Sequence, residues 1–476
     1  MRTAPAMRAA PATRTALDEQ RAPAARSPQE LALTALRLAA DCDDCVAIAE
    51  DSSTVHVRWA ADSLTTNGAA RSRRFTVVCV RGPSAGVASH SGALDDSSLE
   101  DLVARAKQAA RGDCAEPAES LITGSAAEDW ALPPAESDAG VLARFAAKAG
   151  AAIERAGSPR SSLSGYAEQQ VSTTYLASSS GLLLRHEQPR GLLDLVATRA
   201  GASAWRGVGT ACVADLDVGS LRAQLDQQLG WTSRRAELWP GKYEVLLAPA
   251  AVADLMLQLY QAAGAGEAAG GQGPFSRSGG GALLGQRLSP AALTLRSDPA
   301  EPGLECAPVL LTRASTDRTS VLDNGLPLRP TSWITDGVLT ALVQTRRTAR
   351  LTGQHPSAEI ANLVLEGGGD AALAELIART ERALLVTSVW YLRDVDPQRL
   401  LVTGLTRDGG YLVEHGEVVA RLPDFRFNES PVELLGRVSE VGRSEPTLPR
   451  EWGEHVTRVA MPALRVRDFD VSAVSR

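Results

Sequence analysis

The sequence predicts an α+β chain of two domains, an N-terminal helix and antiparallel-sheet domain followed by a C-terminal mainly-β, barrel-like domain. Three observations carry this expectation. The chain has 476 residues, more than one hydrophobic core normally serves. In its first half, stretches with helical apolar spacing are interleaved with stretches that alternate every second residue. In its second half, short runs rich in Val, Leu and Ile recur between glycine and proline turns.

Residues 1–27 are rich in Ala, Arg and Pro without apolar periodicity, which predicts a disordered tail. Ser27-Pro28-Gln29-Glu30 reads as an N-cap with proline at the first helical position, and Leu31, Leu33, Leu36 and Leu38 supply the apolar face. Val46–Ala49 and Val55–Trp59 alternate around the turn-like Glu50-Asp51-Ser52-Ser53, predicting a hairpin, with a third strand at Arg74–Val80. Ser97–Arg111 is a capped amphipathic helix, and 112–137 a surface excursion with three prolines. A helix at Leu142–Ala156 then precedes four strands, at Leu163–Val171, Thr173–Ser178, Gly181–Glu187 and Leu192–Ala200. A further helix ends before Pro240-Gly241, which sets a boundary near residue 238, with domains at 28–238 and 239–476. The second domain opens with a strand at Tyr243–Leu247 and a helix at Ala250–Ala262. A glycine-rich stretch and mainly short strands follow, among them Leu293–Leu295, Trp333-Ile334, Val338-Leu339, Ala383–Val386 and Leu400–Val402.

Composition narrows the function classes. With 49 basic and 56 acidic residues the formal net charge is -7, which offers no positive field to a phosphate backbone, so nucleic acid is not an expected partner. No apolar run is long enough for a membrane span and residues 1–28 lack the apolar segment of a secretory signal, so a cytoplasmic chain is expected. Aromatic residues are 4%, which leaves the cores to Leu, Val and Ala. The six cysteines are scattered, and free thiols are expected. Cys42 and Cys45 form a C-x-x-C, half of a zinc knuckle or a redox pair, but no second pair of ligands follows at similar spacing.

Other motifs resolve into structural readings. His186-Glu187 begins like the H-E-x-x-H helix of a zinc peptidase, in which two imidazoles share a helical face around a general base. The positions that would carry the second ligand hold Arg190 and Gly191, and Pro189 breaks any helix there, so a strand and bend is expected. The glycines of 264–281 and 367–369 lack the Lys-Ser/Thr end of a phosphate loop. Ser178–Ser180 lack the flanking glycines of a nucleophile elbow, and Cys306 has no nearby histidine.

Five ordered segments, at Pro240–Met256, Val321–Arg350, Trp390–Val418, Phe425–Leu435 and Met461–Ser472, resemble the TldD/PmbA family, also called modulators of DNA gyrase. The resemblance implies a heterodimer of a TldD-type chain and a TldE/PmbA-type chain enclosing a proteolytic chamber. It also implies, for the TldD type, an H-E-x-x-x-H helix soon after the strand that opens the second domain, and a C-terminal cysteine as a further zinc ligand. Here that helix lies in Ala250–Gly264 without a histidine, and the last cysteine is Cys306. These departures are similar to the TldE/PmbA side, the metal-free partner: no catalytic residue, metal ligand or cofactor is expected on this chain, and zinc is expected on the TldD-type subunit. The implied substrates are peptides or peptide-like biosynthetic intermediates. Arg393, Asp396, Asn428 and His455 lie in or beside the family-like segments as candidates for the substrate cavity or the subunit interface, with an ion pair or strand-end cap as the alternative for the first three. Two other readings stay open, a stand-alone binding or regulatory protein of the gyrase-modulator kind without hydrolase activity, and an autonomous hydrolase using Ser or Cys.

Overall fold

A computed structural model describes residues 26–112, 116–154 and 161–474. Its strands form two sheets. The first is seven-stranded, in the order β4-β3-β2-β1-β5-β6-β7. Its members are β1 (Asp44–Ala60), β2 (Ser63–Arg81), β3 (Ser84–Ser91), β4 (Glu116–Pro117), β5 (Ser162–Ser178), β6 (Leu183–Arg199) and β7 (Ala202–Thr210). Helices α1 (Pro28–Leu38) and α2 (Asp96–Ala109) cover one part of this sheet, while α3 (Ala139–Glu154) and α4 (Val218–Gly230) cover another. The expected start of α1 is present as a full capping box between Ser27 and Glu30. Residues 1–25 of the expected tail, Arg155 and Ala156 of the expected helix, and Cys114 lie outside the described residues.

The strands are longer than the sequence predicts. Residues 50–53 are not a turn: β1 runs straight through them for 17 residues. Their polar side chains find partners across the sheet, with Asp51 accepting from the Arg73 guanidinium at 2.6 Å and Ser52 Oγ bonded to Ser172 Oγ at 2.7 Å. A turn-like composition therefore folds as strand once its hydrogen bonds are satisfied laterally. The four strands predicted between 163 and 200 merge likewise into β5 and β6, and there is no break at Pro189. Pairing of β6 with β7 begins only at Gly191, so Pro189 sits where β6 is an edge and its missing N–H is tolerated.

The second sheet is thirteen-stranded. Its strands are β8 (Gly241–Leu247), β9 (Thr294–Ser297), β10 (Thr331–Thr335), β11 (Val338–Leu339), β12 (Leu363–Glu366), β13 (Arg382–Val386), β14 (Val389–Asp396), β15 (Leu401–Thr406), β16 (Gly410–Glu414), β17 (Glu417–Arg421), β18 (Phe425–Glu429), β19 (Val438–Thr447) and β20 (Val459–Val474). The domain is mainly β, as expected, but the main path runs from β11 to β17 without closing into a barrel. Nor are all its strands short: β20 spans 16 residues and pairs with β12, β19, β8 and β18 along its length. Helix α5 (Pro249–Gln261) packs against β20 within a core of mainly Leu, Val and Ala.

Cys45 faces Cys79 across β1 and β2, and both are free buried thiols. Burial raises the neighbouring Cys42 thiol to about 11, so it is a poor nucleophile near neutrality. Among the described residues, no helix is long and apolar enough to cross a membrane.

The sheets meet closely where β7 passes the segment before β20. A Cβ on Gly209 would overlap the Thr457 carbonyl, whereas one on Gly150, in α3, would meet open space. Gly209→Ala should lower stability by about 2 kcal/mol by forcing the backbones apart. Gly150→Ala should raise it by about 1 kcal/mol through helix propensity. Denaturant midpoints of the two variants should therefore move in opposite directions.

Candidate functional site

Helix α5 begins at Pro249, where a fixed φ suits the first turn, and continues through helix-favouring Ala, Leu and Met. It is buried on almost every side, with Leu255 and Met256 fully enclosed. Its glutamines, Gln258 and Gln261, lie toward the C-terminal end, which makes the one carboxyl in its buried middle conspicuous. Asp254 is 0% exposed and accepts the backbone N–H groups of Arg450 and Glu451, each at 2.9 Å, and of Trp452 at 3.3 Å. Burial opposes ionisation of this carboxyl, while the three donors favour it. The contact fastens the segment 448–458, which connects β19 to β20, onto α5.

At the C-terminal half of α5 a cleft of about 270 Å³ opens beside Leu257, Tyr260 and Gln261, with Ile360 and His455 on its other walls. The Tyr260 hydroxyl accepts the Ile360 N–H at 3.0 Å and lies 3.2 Å from the Ile360 carbonyl oxygen, to which it donates. The Arg318 guanidinium sits 5.0 Å from the centre of the Tyr260 ring, pairs with Glu359 at 3.0 Å and donates to Gln261 Oε1. This network fixes the polar groups of the cleft to one another.

Of the residues selected from sequence, His455 is exposed at this cleft. Arg393, on β14, borders a second, larger cleft, pairs with Glu451 at 2.7 Å and lies over the Tyr391 ring. His455 thus belongs to the segment that Asp254 holds, and Arg393 is paired to it through Glu451. Asp396 closes β14, its Oδ1 accepting the Gln398 N–H at 3.0 Å, and Asn428 is half-buried on β18 opposite Thr403. Neither borders the two clefts. Sequence reading missed Asp254, Tyr260, Arg318 and Glu359. A lone acid in an apolar helix was the available signal for the first, while the other three converge only through the fold. His186 stands in β6 with Nε2 3.2 Å from Gln188 Oε1, and burial lowers its pKa.

Fold and cleft together define a two-sheet α+β protein built around one buried helix. A family model described as the PmbA/TldA metallopeptidase C-terminal domain matches residues 240–473. Among solved structures, TldE from Thermococcus kodakarensis is 16% identical, covering 93% of this chain and 99% of its own, with a TM-score of 0.72. A candidate modulator of a DNA gyrase from Thermotoga maritima is 17% identical, covering 93% and 100%, with a TM-score of 0.72. A candidate modulator of DNA gyrase from Bacteroides thetaiotaomicron is 18% identical, covering 94% and 99%, also with a TM-score of 0.72. At these identities the likeness is one of fold. No curated protein matches the chain. Through residues 240–473 the chain belongs to the PmbA/TldD family.

The family description implies a metal, and the side chains at the α5 cleft do not fit one. A catalytic zinc needs about three converging donors. The helix offers Leu257, Tyr260 and Gln261, and the phenol and amide oxygens are engaged with Ile360 and Arg318. Glu359 is tied to Arg318, which leaves His455 as a single imidazole. Among the described residues, no group of three His, Cys, Asp or Glu is suited to a metal ion.

Two outcomes follow from this geometry. Asp254→Ala strands buried N–H groups on Arg450, Glu451 and Trp452 and should cost about 3 kcal/mol or more, read as a lowered denaturation midpoint. For His186 the folded pKa lies below the unfolded value near 6.5, so its contribution to stability is complete above that value and is lost as pH falls through the folded pKa. His186→Gln should therefore flatten the loss of stability on acidification below about pH 6.5.

Proposed function

We propose that this chain, with domains at 28–238 and 239–476, is the metal-free subunit of a heterodimeric TldD/TldE-type zinc metallopeptidase or amidase. In this reading it works on peptides or peptide-like biosynthetic intermediates. The observation that carries the reading is the face α5 turns to its cleft: it presents Leu257, Tyr260 and Gln261, and the helix holds no histidine, whereas the TldD-type family pattern carries its zinc-binding histidines on this helix. The Arg318–Glu359 pair and the Tyr260 hydrogen bonds make that face a fixed wall rather than a set of free ligands. Such a subunit contributes by excluding water and holding a peptide against a partner's zinc, a positional effect rather than Lewis-acid chemistry. The likeness of fold to TldE supports the same side of the pair.

Co-expression with a TldD-type chain tests the reading. The expected product is a one-to-one complex that contains zinc and hydrolyses peptides, with the zinc lost when the partner's histidines are replaced. This chain purified alone should carry neither zinc nor hydrolase activity. Stoichiometric zinc together with hydrolysis in the single chain would sink the proposal.

A further inference from the structure

Between the two sheets lies a second cleft, of about 950 Å³. Its floor is a row of directly opposed residues, Arg58 on β1, Tyr166 on β5 and Asp194 on β6. Opposed residues in antiparallel strands share a face, so a guanidinium, a phenol and a carboxyl all front the cleft. The roof is formed by Trp390 and Tyr391, which are 36% and 46% exposed, and by the segment that Asp254 anchors.

The roof is held in an unfavourable conformation. Tyr391 has φ of 58°, a left-handed geometry that a bulky side chain rarely adopts. It persists because its N–H donates to Glu451 Oε2 at 2.8 Å, while Arg393 donates to Glu451 Oε1 at 2.7 Å and lies 4.2 Å from the centre of the Tyr391 ring. Over-determined strain of this kind fixes the position of a side chain at a site.

Most charges in the cleft are already neutralised. Arg190 pairs with Glu168 at 2.9 Å, Arg393 with Glu451 at 2.7 Å, and Arg450 with Asp408. Arg58 makes no ion pair among the described residues and lies over the Tyr166 ring at 5.6 Å. Asp194 is engaged by the Trp205 indole N–H at 3.0 Å. Burial raises its carboxyl, which weakens any competition with an incoming anion for Arg58. Of the four guanidinium groups that line the cleft, Arg58 is therefore the one without a carboxylate partner among the described residues, and it lies against the Tyr166 ring; the exposed Glu454 is a carboxylate of the lining that likewise has no ion pair there.

We propose that this cleft binds the C-terminal aromatic residue of a peptide, its carboxylate on Arg58 and its ring among Tyr166, Trp390 and Tyr391. The volume exceeds that of one amino acid and leaves room for the residues that precede it. The inference does not rest on the subunit assignment, because it concerns binding by this chain alone and not hydrolysis.

Titration calorimetry of the full chain tests it, with acetyl-Ala-Ala-Phe, the amide of the same peptide, acetyl-Ala-Ala-Ala and phenylpropionate as probes. The acid should bind about tenfold more tightly than the amide, the increment of a charge-assisted hydrogen bond. It should also outbind the alanine peptide. Arg58→Gln should erase the preference for acid over amide, Arg58→Lys should retain part of it, and Trp390→Ala should weaken acid and amide alike. Absence of binding at millimolar concentration, equal affinity for acid and amide, or a preference that survives Arg58→Gln would overturn the site. Phenylpropionate binding as tightly as the peptide acid would overturn the assignment to peptides.

Discussion

One buried carboxylate organises the centre of this protein. Asp254 is the single acidic residue of a largely apolar helix, its carboxyl pushed up to about 8 by burial, and it collects three backbone N–H groups from residues 450–452. A carboxylate out of water is costly unless its lone pairs are filled, and the same holds for backbone N–H groups in a core. Each therefore compensates the other, and the segment 448–458 is pinned between α5 and the first sheet.

Much else depends on that segment. From it, Arg450 reaches the Asp408 carboxylate, which also accepts from Ser203 of β7, and its guanidinium lies 5.0 Å from the Trp205 ring. Arg190 of β6 donates to the Glu454 and Gly453 carbonyls at 2.6 and 3.2 Å, and Arg458 donates back to the Pro189 carbonyl. These charge-assisted contacts join the two sheets by hydrogen bonds to backbone atoms, which fix position more tightly than apolar packing does. His455 on one side and Glu451 on the other then border the two clefts. A change at Asp254 reaches both.

The α5 cleft also shows why fold alone does not report activity. The chain shares its architecture with TldE and with two candidate gyrase modulators at 16–18% identity. What the site can do depends on Leu257, Tyr260 and Gln261, and their partners Arg318 and Glu359 tie the available oxygens into a closed network. Chemistry lives in such side chains rather than in the scaffold.

Local pattern by itself determined the α+β class, the capped start of α1, the positions of α2 to α5 and the absence of a histidine from the buried helix, because periodicity and capping are properties of neighbouring residues. It divided β1, β5 and β6 at polar or proline-containing stretches, because it could not register that Asp51 would meet Arg73, that Ser52 would meet Ser172, or that Pro189 would stand on an edge. The same reason hid the sites. Tyr260, Arg318 and Glu359 are brought together from three separate stretches of chain, and Arg58, Tyr166 and Asp194 meet only through strand register. Arg393 and His455 were legible as candidates, yet only the tertiary structure decided that one segment carries His455 and pairs with Arg393, and that Asp396 and Asn428 border neither cleft. Sequence-distant side chains converge through register and packing, which no local pattern encodes.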